Sequence, residues 1–394
     1  MSKFKFFALI SAVCLIGVIF CTKIGFSQSP RARVQLITSP PVSQITPFEA
    51  EATKPQSPVL LKLKSIDAAG NSLENAKINL KILTPPKNPW FTTDFPIVEG
   101  TKLLEMEAIA PQGKLQIQQM FPIRGTYQLL VNVAPTEANT FVPFEQKLTL
   151  SVPENWLKYQ NFLILAGILL GVGLIGGLAI AGQPQIPTRE VVPTRVRLLL
   201  SGLIVTAIAV LLFVNVSAEI VQSQMSMPMS HLRESVPENS KSGIIQSQGL
   251  EVQLSGDPNA KVGTPANLKV QLIDTKTNVP ITDAVVDLKT TQLENNWLAF
   301  AYQGVLNEAG KFAWQQQFFD GAPHKIEVKV APKPNAARQF EPFQVRREIE
   351  VEGVAPPLLV RSIVLGYLIG IVGIGLLSGF YFIPLLKNKI SHRG

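Results

Sequence analysis

Residues 324–332 read HKIEVKVAP and residues 127–135 read YQLLVNVAP, so two distant stretches of the chain share one pattern. In both stretches apolar residues alternate with polar ones, which predicts a β-strand with one buried face and one wet face. The two stretches lie 197 residues apart, and Pro143-Phe144 recurs as Pro342-Phe343 at the similar distance of 199 residues. Self-similarity at a nearly fixed period predicts one structural unit that the chain uses twice.

The alternating pattern extends over both halves of the chain. Runs such as AKINLKIL in the first half and AVVDLKT in the second are separated by clusters of Gly, Pro, Asn and Asp. Trp90 and Trp297 are a further match between the halves, at a distance of 207 residues. Short alternating strands with turn signals between them predict two Ig-like β-sandwiches. We assign the first to residues 28–157 and the second to residues 218–358.

Four apolar runs accompany the strands. Residues 162–181 are uncharged and, as a helix, would extend about 30 Å, the hydrocarbon thickness of a bilayer. Residues 198–216 and 362–386 predict two further spans. The run at 6–20 is short, so the segment 1–27 is either a cleaved signal peptide or an anchor helix that is retained. The predicted fold is a membrane-anchored, all-β, internally duplicated protein with three transmembrane helices, or four if the anchor is retained.

The net charge of +8 is concentrated beside these apolar runs. Lysines and arginines cluster before the first run, in the loop 183–197 and in the tail 387–394. This distribution follows the positive-inside rule and predicts that both sandwiches lie outside the cytoplasm. The rest of the chain is nearly neutral, which argues against a nucleic-acid partner. Both cysteines, Cys14 and Cys21, lie in or beside the first run, so no disulfide can link the strands of either sandwich; this pattern fits a bacterial envelope.

One short segment has the composition of a metal site. Three of the six methionines fall within five residues of MSMPMSH, which spans 225–231. Thioether sulfur and imidazole are ligands for Cu(I), so Met225, Met227, Met229 and His231 are candidate ligands. His324 is a fifth candidate. The alternative is a juxtamembrane linker without a metal, and the first unit has no equivalent methionine run.

The second domain also carries a family resemblance. Its turn reads FFDGAPH, ending at His324, and opens the strand KIEVKVAP. Together with the alternating strands and the Met/His segment, this turn resembles the Ig-like domains of the CopC, YtkA and FixH type. The resemblance implies copper handling or oxidase assembly outside the bacterial membrane, with a metal donor or acceptor protein as the partner. The sequence lacks the N-terminal histidine that begins mature CopC-like proteins, so it does not imply their Cu(II) chemistry.

Two of the predicted spans carry glycines four residues apart. Small residues at this spacing let membrane helices approach closely, although glycine is also generally frequent in such helices. We expect the following glycines to hold the two helices together: Gly167, Gly171, Gly173 and Gly177 in one span, and Gly366, Gly370, Gly375 and Gly379 in the other.

The sequence offers little that points to catalysis. It contains no His-Glu-x-x-His, Cys-x-x-Cys, nucleophile elbow or phosphate loop. We therefore expect a protein that is not an enzyme. One hypothesis is a multi-pass membrane protein that presents two sandwiches as a binding module, with Cu(I) as the ligand. The other is a structural or assembly factor that docks on another membrane complex without a metal.

Overall fold

The computed structural model describes residues 31–49, 56–88, 91–138, 140–181 and 243–391. The first unit begins with a strand and a short 3-10 turn at Val42–Gln44. Its strands are β1 (Arg33–Ser39), β2 (Val59–Ile66), β3 (Ala76–Leu83), β4 (Lys102–Ala110), β5 (Lys114–Gln119), β6 (Gly125–Pro135) and β7 (Phe144–Val152). The helix α1 (Trp156–Ala181) follows β7 directly.

The second unit repeats this order with two additional short strands. Its strands are β8 (Ile244–Ser247), β9 (Leu250–Gly256), β10 (Asn259–Lys261), β11 (Pro265–Asp274), β12 (Ala284–Gln292), β13 (Trp297–Val305), β14 (Lys311–Gln317), β15 (His324–Pro332) and β16 (Phe343–Glu352). The helix α2 (Leu358–Ser391) follows β16. The described part of the chain is therefore mostly β, with one long apolar helix after each unit.

Each unit is a sandwich of a three-stranded and a four-stranded sheet. In the first unit, β1-β2-β5 faces β4-β3-β6-β7. The residues of β3 alternate strictly between buried and half-buried, so Ile78 and Leu80 enter the core while Lys77 and Lys81 face outward. In the second unit, β9-β11-β14 faces β13-β12-β15-β16 in the same way. The alternation in the sequence thus correctly predicts strands with one buried face.

The two sandwiches are not separate domains, because their sheets are continuous. Strand β4 pairs with β14, with Met106 opposite Trp314, and β5 pairs with β13, with Ile117 opposite Tyr302. The repeat relates β4 to β13 and β5 to β14, so these two contacts are equivalent and the units are related by an approximate two-fold axis. One layer runs β8-β9-β11-β14-β4-β3-β6-β7 and the other β1-β2-β5-β13-β12-β15-β16-β10.

An aromatic cluster closes the junction between the units. The ring of Phe48 lies 4.3 Å from Trp297 and 5.1 Å from Phe319, measured between centroids, and Phe95 lies 5.7 Å from Phe319. Phe48 and Phe95 come from the first unit, whereas Trp297 and Phe319 come from the second. Edge-to-face aromatic pairs add to the free energy of burial, so this cluster holds the two units in one orientation.

Both helices are long and apolar enough to cross a membrane, over Trp156–Leu178 and Leu358–Tyr381. The mean hydropathy is 2.2 in each segment, and few of their residues are buried within the protein. Helix α1 begins before the apolar run at 162–181, because the side chain of Asn155 caps it by accepting a hydrogen bond from the Leu157 N–H. The predicted span at 198–216 and the first apolar run lie outside the described residues.

The helices α1 and α2 pack on each other through four of the eight predicted glycines. A Cβ added at Gly177 would overlap the carbonyl oxygen of Leu376 and lie 2.9 Å from Gly379 Cα. A Cβ at Gly173 would similarly lie 3.1 Å from Gly375 Cα. The contact is reciprocal, since Gly375 and Gly379 face the backbone of α1. The pair therefore follows the same approximate two-fold symmetry as the sandwiches.

The other four predicted glycines lie away from this contact. A Cβ added at Gly167, Gly171, Gly366 or Gly370 would meet no described atom within 4 Å. Both glycine pairs in each helix have the same spacing, but only one pair of each helix can face the partner helix. The expectation that all eight glycines join α1 to α2 is therefore too broad.

Replacing Gly177 by leucine should push the two helices apart and lower the free energy of unfolding by about 1–3 kcal/mol. The matched control is Gly176→Leu, because a side chain at Gly176 meets no described atom within 4 Å and gains the same helix propensity. Denaturant unfolding of the full chain in detergent micelles measures both variants. Equal stabilities of the two variants would contradict the glycine contact.

Candidate functional site

The start of β6 holds a tyrosine that ties the strand to the turn before it. The Tyr127 hydroxyl donates to the Ile123 carbonyl at 2.7 Å and accepts from the Ile123 N–H at 3.0 Å. Its ring packs edge-to-face on Phe121 with centroids 4.7 Å apart. A tyrosine that bonds back to the chain just upstream of this strand is the tyrosine corner of Ig-like sandwiches. Burial raises the pKa of Tyr127, so it stays a neutral donor.

His324 occupies the same position in the second unit. Its ring is 2% exposed, and its Nδ1 lies 2.7 Å from the Ala322 carbonyl oxygen, to which it must donate. The ring packs edge-to-face on Phe318 at 4.6 Å, as Tyr127 packs on Phe121. His324 is thus the corner residue of the second sandwich. The structure gives this histidine a structural role.

The burial of His324 argues against its predicted role as a copper ligand. The Nδ1 of His324 is already bonded to the Ala322 carbonyl, and only 2% of the residue is exposed. Within the described residues, no group of three or more His, Cys, Asp or Glu side chains is arranged to hold a metal ion. Met225, Met227, Met229 and His231 lie outside the described residues, so the structure does not place them relative to His324.

A groove lies on the outer face of the first unit, over β3, β4, β6 and β7. Its volume is about 420 Å³. The lining residues carry both charges, amides and a small apolar patch: Lys77, Asn79, Lys81, Glu107, Leu130, Asn132, Ala134 and Glu145. The alternation of β3 and β6 places these side chains outward, since their neighbours in sequence fill the core.

The charges of this groove are only partly neutralised. Lys77 pairs with Glu107 at 2.7 Å, whereas Lys81 and Glu145 form no ion pair in the part of the chain that the structure describes. The corresponding face of the second unit differs. There Glu327 is bound by Arg346 and Lys325, each at 3.3 Å. The second unit also keeps unpaired charges on this face, since Asp287, Lys289 and Lys329 form no ion pair among the described residues. The difference is that Glu327, with its two ion pairs, stands where the groove of the first unit has Leu130.

Comparisons with known proteins give only distant similarity. No family model matches the chain, those of the CopC, YtkA and FixH type included, and no curated protein matches it. The adhesin InvE of Yersinia pseudotuberculosis is 10% identical over 82% of this chain and 61% of its own, with a TM-score of 0.18. This chain thus spans less than two thirds of the InvE chain.

Two further solved structures are similar at the same level. The D0–D1 domain of intimin is 10% identical over 80% of this chain and 97% of its own, with a TM-score of 0.17. Escherichia coli alpha-2-macroglobulin activated by porcine elastase is 10% identical over 82% of this chain and 24% of its own, with a TM-score of 0.21. These TM-scores are too low to carry an argument about this protein.

Sequence reasoning singled out His324 for its chemistry and missed the groove. The signal for the histidine's role was present, because the repeat aligns His324 with Tyr127, whose hard phenol oxygen is not a ligand that Cu(I) prefers. In the sequence, the groove residues look like the ordinary solvent-exposed residues of two amphipathic strands, β3 and β6. Only the pairing of β3 with β4 and β6, and of β6 with β7, brings them around one space.

His324 should make the stability of the protein depend on pH. Burial lowers the pKa of His324 below its ordinary 6.5, so the unfolded chain takes up a proton before the folded one does. The free energy of unfolding should therefore fall as the pH drops below about 6.5, by up to about 1.4 kcal/mol per pH unit. His324→Tyr, which copies the corner of the first unit, should lose this part of the pH dependence.

Chemical unfolding of the full chain in micelles between pH 7.5 and 5.5 measures the difference. The two other histidines are present in both proteins, so their effects cancel in the comparison. The same slope in wild type and His324→Tyr would show that the corner histidine does not titrate in this range.

Proposed function

We propose that this protein is a membrane-anchored binding protein. It holds a rigid double sandwich on the extracytoplasmic face of a cell membrane and docks another membrane protein there without catalysis. The observation that carries the proposal is the continuity of the two sheets. Because both layers run through both units, the two sandwiches form one platform, and each unit leads directly into a long apolar helix.

The path of the chain supports the predicted topology. Helix α1 leaves the first unit and rises about 39 Å, yet β8 belongs to the same sheet as β7. The chain must therefore return to the sandwich side before residue 243. The apolar run at 198–216 is long enough for this return. The basic loop 183–197 would then lie on the cytoplasmic side, as the positive-inside rule requires.

The groove of the first unit is the docking site in this proposal. Its free lysine and glutamate, with Asn79 and Asn132 beside them, suit an extended polar segment of a partner protein that carries both charges. Amide groups bond peptide backbone, and the unpaired Lys81 and Glu145 add charge complementarity at modest cost in desolvation. On the equivalent face of the second unit, Glu327 takes the place of Leu130 and is paired with Arg346. In this proposal the role of the second unit is to orient the first.

Site-directed photo-crosslinking in native membranes tests the docking site. A photoreactive phenylalanine analogue at Asn132, in the groove, should give a discrete adduct with a partner protein. The matched control is the same analogue at Lys329, which the repeat places at the equivalent exposed position of the second unit. The double change Lys77→Glu and Lys81→Glu should reduce the Asn132 adduct about tenfold or more, as expected when charge complementarity is reversed.

Adducts of equal yield at both positions, or an Asn132 adduct that survives the charge reversal, would refute the groove as the docking site. The variants change only side chains on the solvent-exposed face of the sheet, so the fold should be preserved. Unchanged denaturant unfolding of Lys77→Glu/Lys81→Glu in micelles is the check on that point.

We propose Cu(I) binding as a second candidate function. It rests on the density of soft ligands in the segment 225–231, and it involves Met225, Met227, Met229 and His231. His324 is left out of the proposed ligand set because its ring is buried and bonded to Ala322.

Titration of the full chain with Cu(I) against a competing chelator tests this proposal. Changing the three methionines of the segment to serine should weaken the affinity by about 100-fold or more, because thioethers are the soft ligands. The matched variant His324→Tyr should retain the wild-type affinity. Affinity that is indifferent to the methionine changes would rule out the site.

A further inference from the structure

The two units differ most in the connection between their third and fourth core strands. In the second unit, β12 and β13 are joined by residues 293–296 alone. In the first unit, the connection from β3 to β4 covers residues 84–101. The equivalent strands otherwise share their order and pairing, so the long connection is a feature of the first unit alone.

The described part of this loop is held in a fixed shape by its own hydrogen bonds. Glu99 is 4% exposed, and its carboxylate accepts from the Thr93 N–H at 2.8 Å and from the Thr93 hydroxyl at 2.7 Å. Thr84 donates to the Val98 carbonyl at 2.6 Å, which closes the base of the loop. Phe95 packs its ring against the aromatic junction between the units.

The same loop is fastened to the point where the chain enters α1. Asp94 forms an ion pair with Lys158, which lies in the first turn of α1. Arg124 donates to the Thr92 carbonyl at 3.2 Å and pairs with Glu154 at 2.5 Å, two residues before the helix. The loop therefore lies at the end of the sandwich from which the apolar helix emerges.

One large apolar side chain of this loop has no place in the core. Phe91 is 66% exposed and lies three positions before Asp94, so it is within about 11 Å along the chain of the ion pair with α1. The first turn of α1 carries Trp156 and Tyr159, which are 67% and 47% exposed with rings 6.3 Å apart. Aromatic residues at a helix entry mark the headgroup level of a bilayer.

We infer that the loop segment from Phe91 to Asp94 is a lipid-contacting element that seats the double sandwich on the membrane. Phe91 inserts between lipid headgroups at the level of Trp156 and Tyr159. The neighbouring Asp94 does not repel anionic lipid because Lys158 neutralises it. The inference rests on the proposed membrane anchoring, and it adds a second attachment that fixes the tilt of the platform relative to the helices.

Depth-dependent fluorescence quenching in the full chain tests this element. The native cysteines Cys14 and Cys21 are changed to serine, and an environment-sensitive fluorophore is attached at Phe91→Cys, Val142→Cys or Ile168→Cys. Val142 is 82% exposed and lies before β7, at the end of the sandwich opposite to α1. Ile168 is 58% exposed in the middle of α1.

Vesicles of phosphatidylcholine and phosphatidylglycerol carry a spin label near the headgroup or deep in the acyl chain. The label at 91 should be quenched by the shallow spin label, the label at 168 by the deep one, and the label at 142 by neither. If the label at 168 is quenched but the labels at 91 and 142 are not, the lipid contact of Phe91 is overturned while the membrane anchoring stands. Lack of quenching at 168 would instead overturn the proposed anchoring.

A second comparison tests whether Phe91, and not the attached fluorophore, makes the contact with lipid. The label is placed at Thr92→Cys, with Phe91 retained in one protein and changed to serine in the other. Since interfacial insertion scales with buried apolar area, Phe91→Ser should lower shallow quenching at 92 at least about twofold. Equal quenching in both proteins would refute the role of Phe91.

Discussion

The pairing of β4 with β14 and of β5 with β13 determines the arrangement of everything else in this molecule. A strand at the edge of a sheet exposes unpaired N–H and C=O groups, which must bond to water or to another strand. The inner edges would be β4 and β5 in the first unit and β13 and β14 in the second. The repeat offers a second copy with the same two free edges, and antiparallel pairing between the copies satisfies both sets at once. The aromatic rings of Phe48, Trp297 and Phe319 then exclude water from the junction.

The continuity of the sheets has consequences at the helices. Because the two units have one fixed relation, the ends of β7 and β16 are fixed relative to each other, and α1 and α2 start from the same body. Glycine at Gly173 and Gly177 lets the two helix backbones approach until they touch Gly375 and Gly379. The approximate two-fold axis thus runs from the strand junction through the helix pair. A rigid support of this kind suits a protein whose task is to present a surface.

The two units share a scaffold but use it differently. The corner position at the start of the sixth core strand holds Tyr127 in one unit and His324 in the other, with a similar edge-to-face phenylalanine and a similar bond to an upstream carbonyl. A histidine in the second unit is therefore compatible with a purely structural position. The first unit has a polar groove on its outer face and a long loop between β3 and β4, where the second unit has the ion pairs of Glu327 and a short turn.

The sequence alone determined the local features of this protein. Period-two alternation predicts the strands, the apolar runs at 162–181 and 362–386 predict the two described helices, and the 197–199-residue repeat predicts the duplication, because each of these depends on neighbours in the chain. The tertiary structure decided the rest. Sheet continuity, the choice of Gly173 and Gly177 over Gly167 and Gly171, the burial of His324 and the groove around Lys81 all depend on which distant edges and faces meet. The same alternating strand could pair in several registers and with several partners, and only packing of the whole chain selects one.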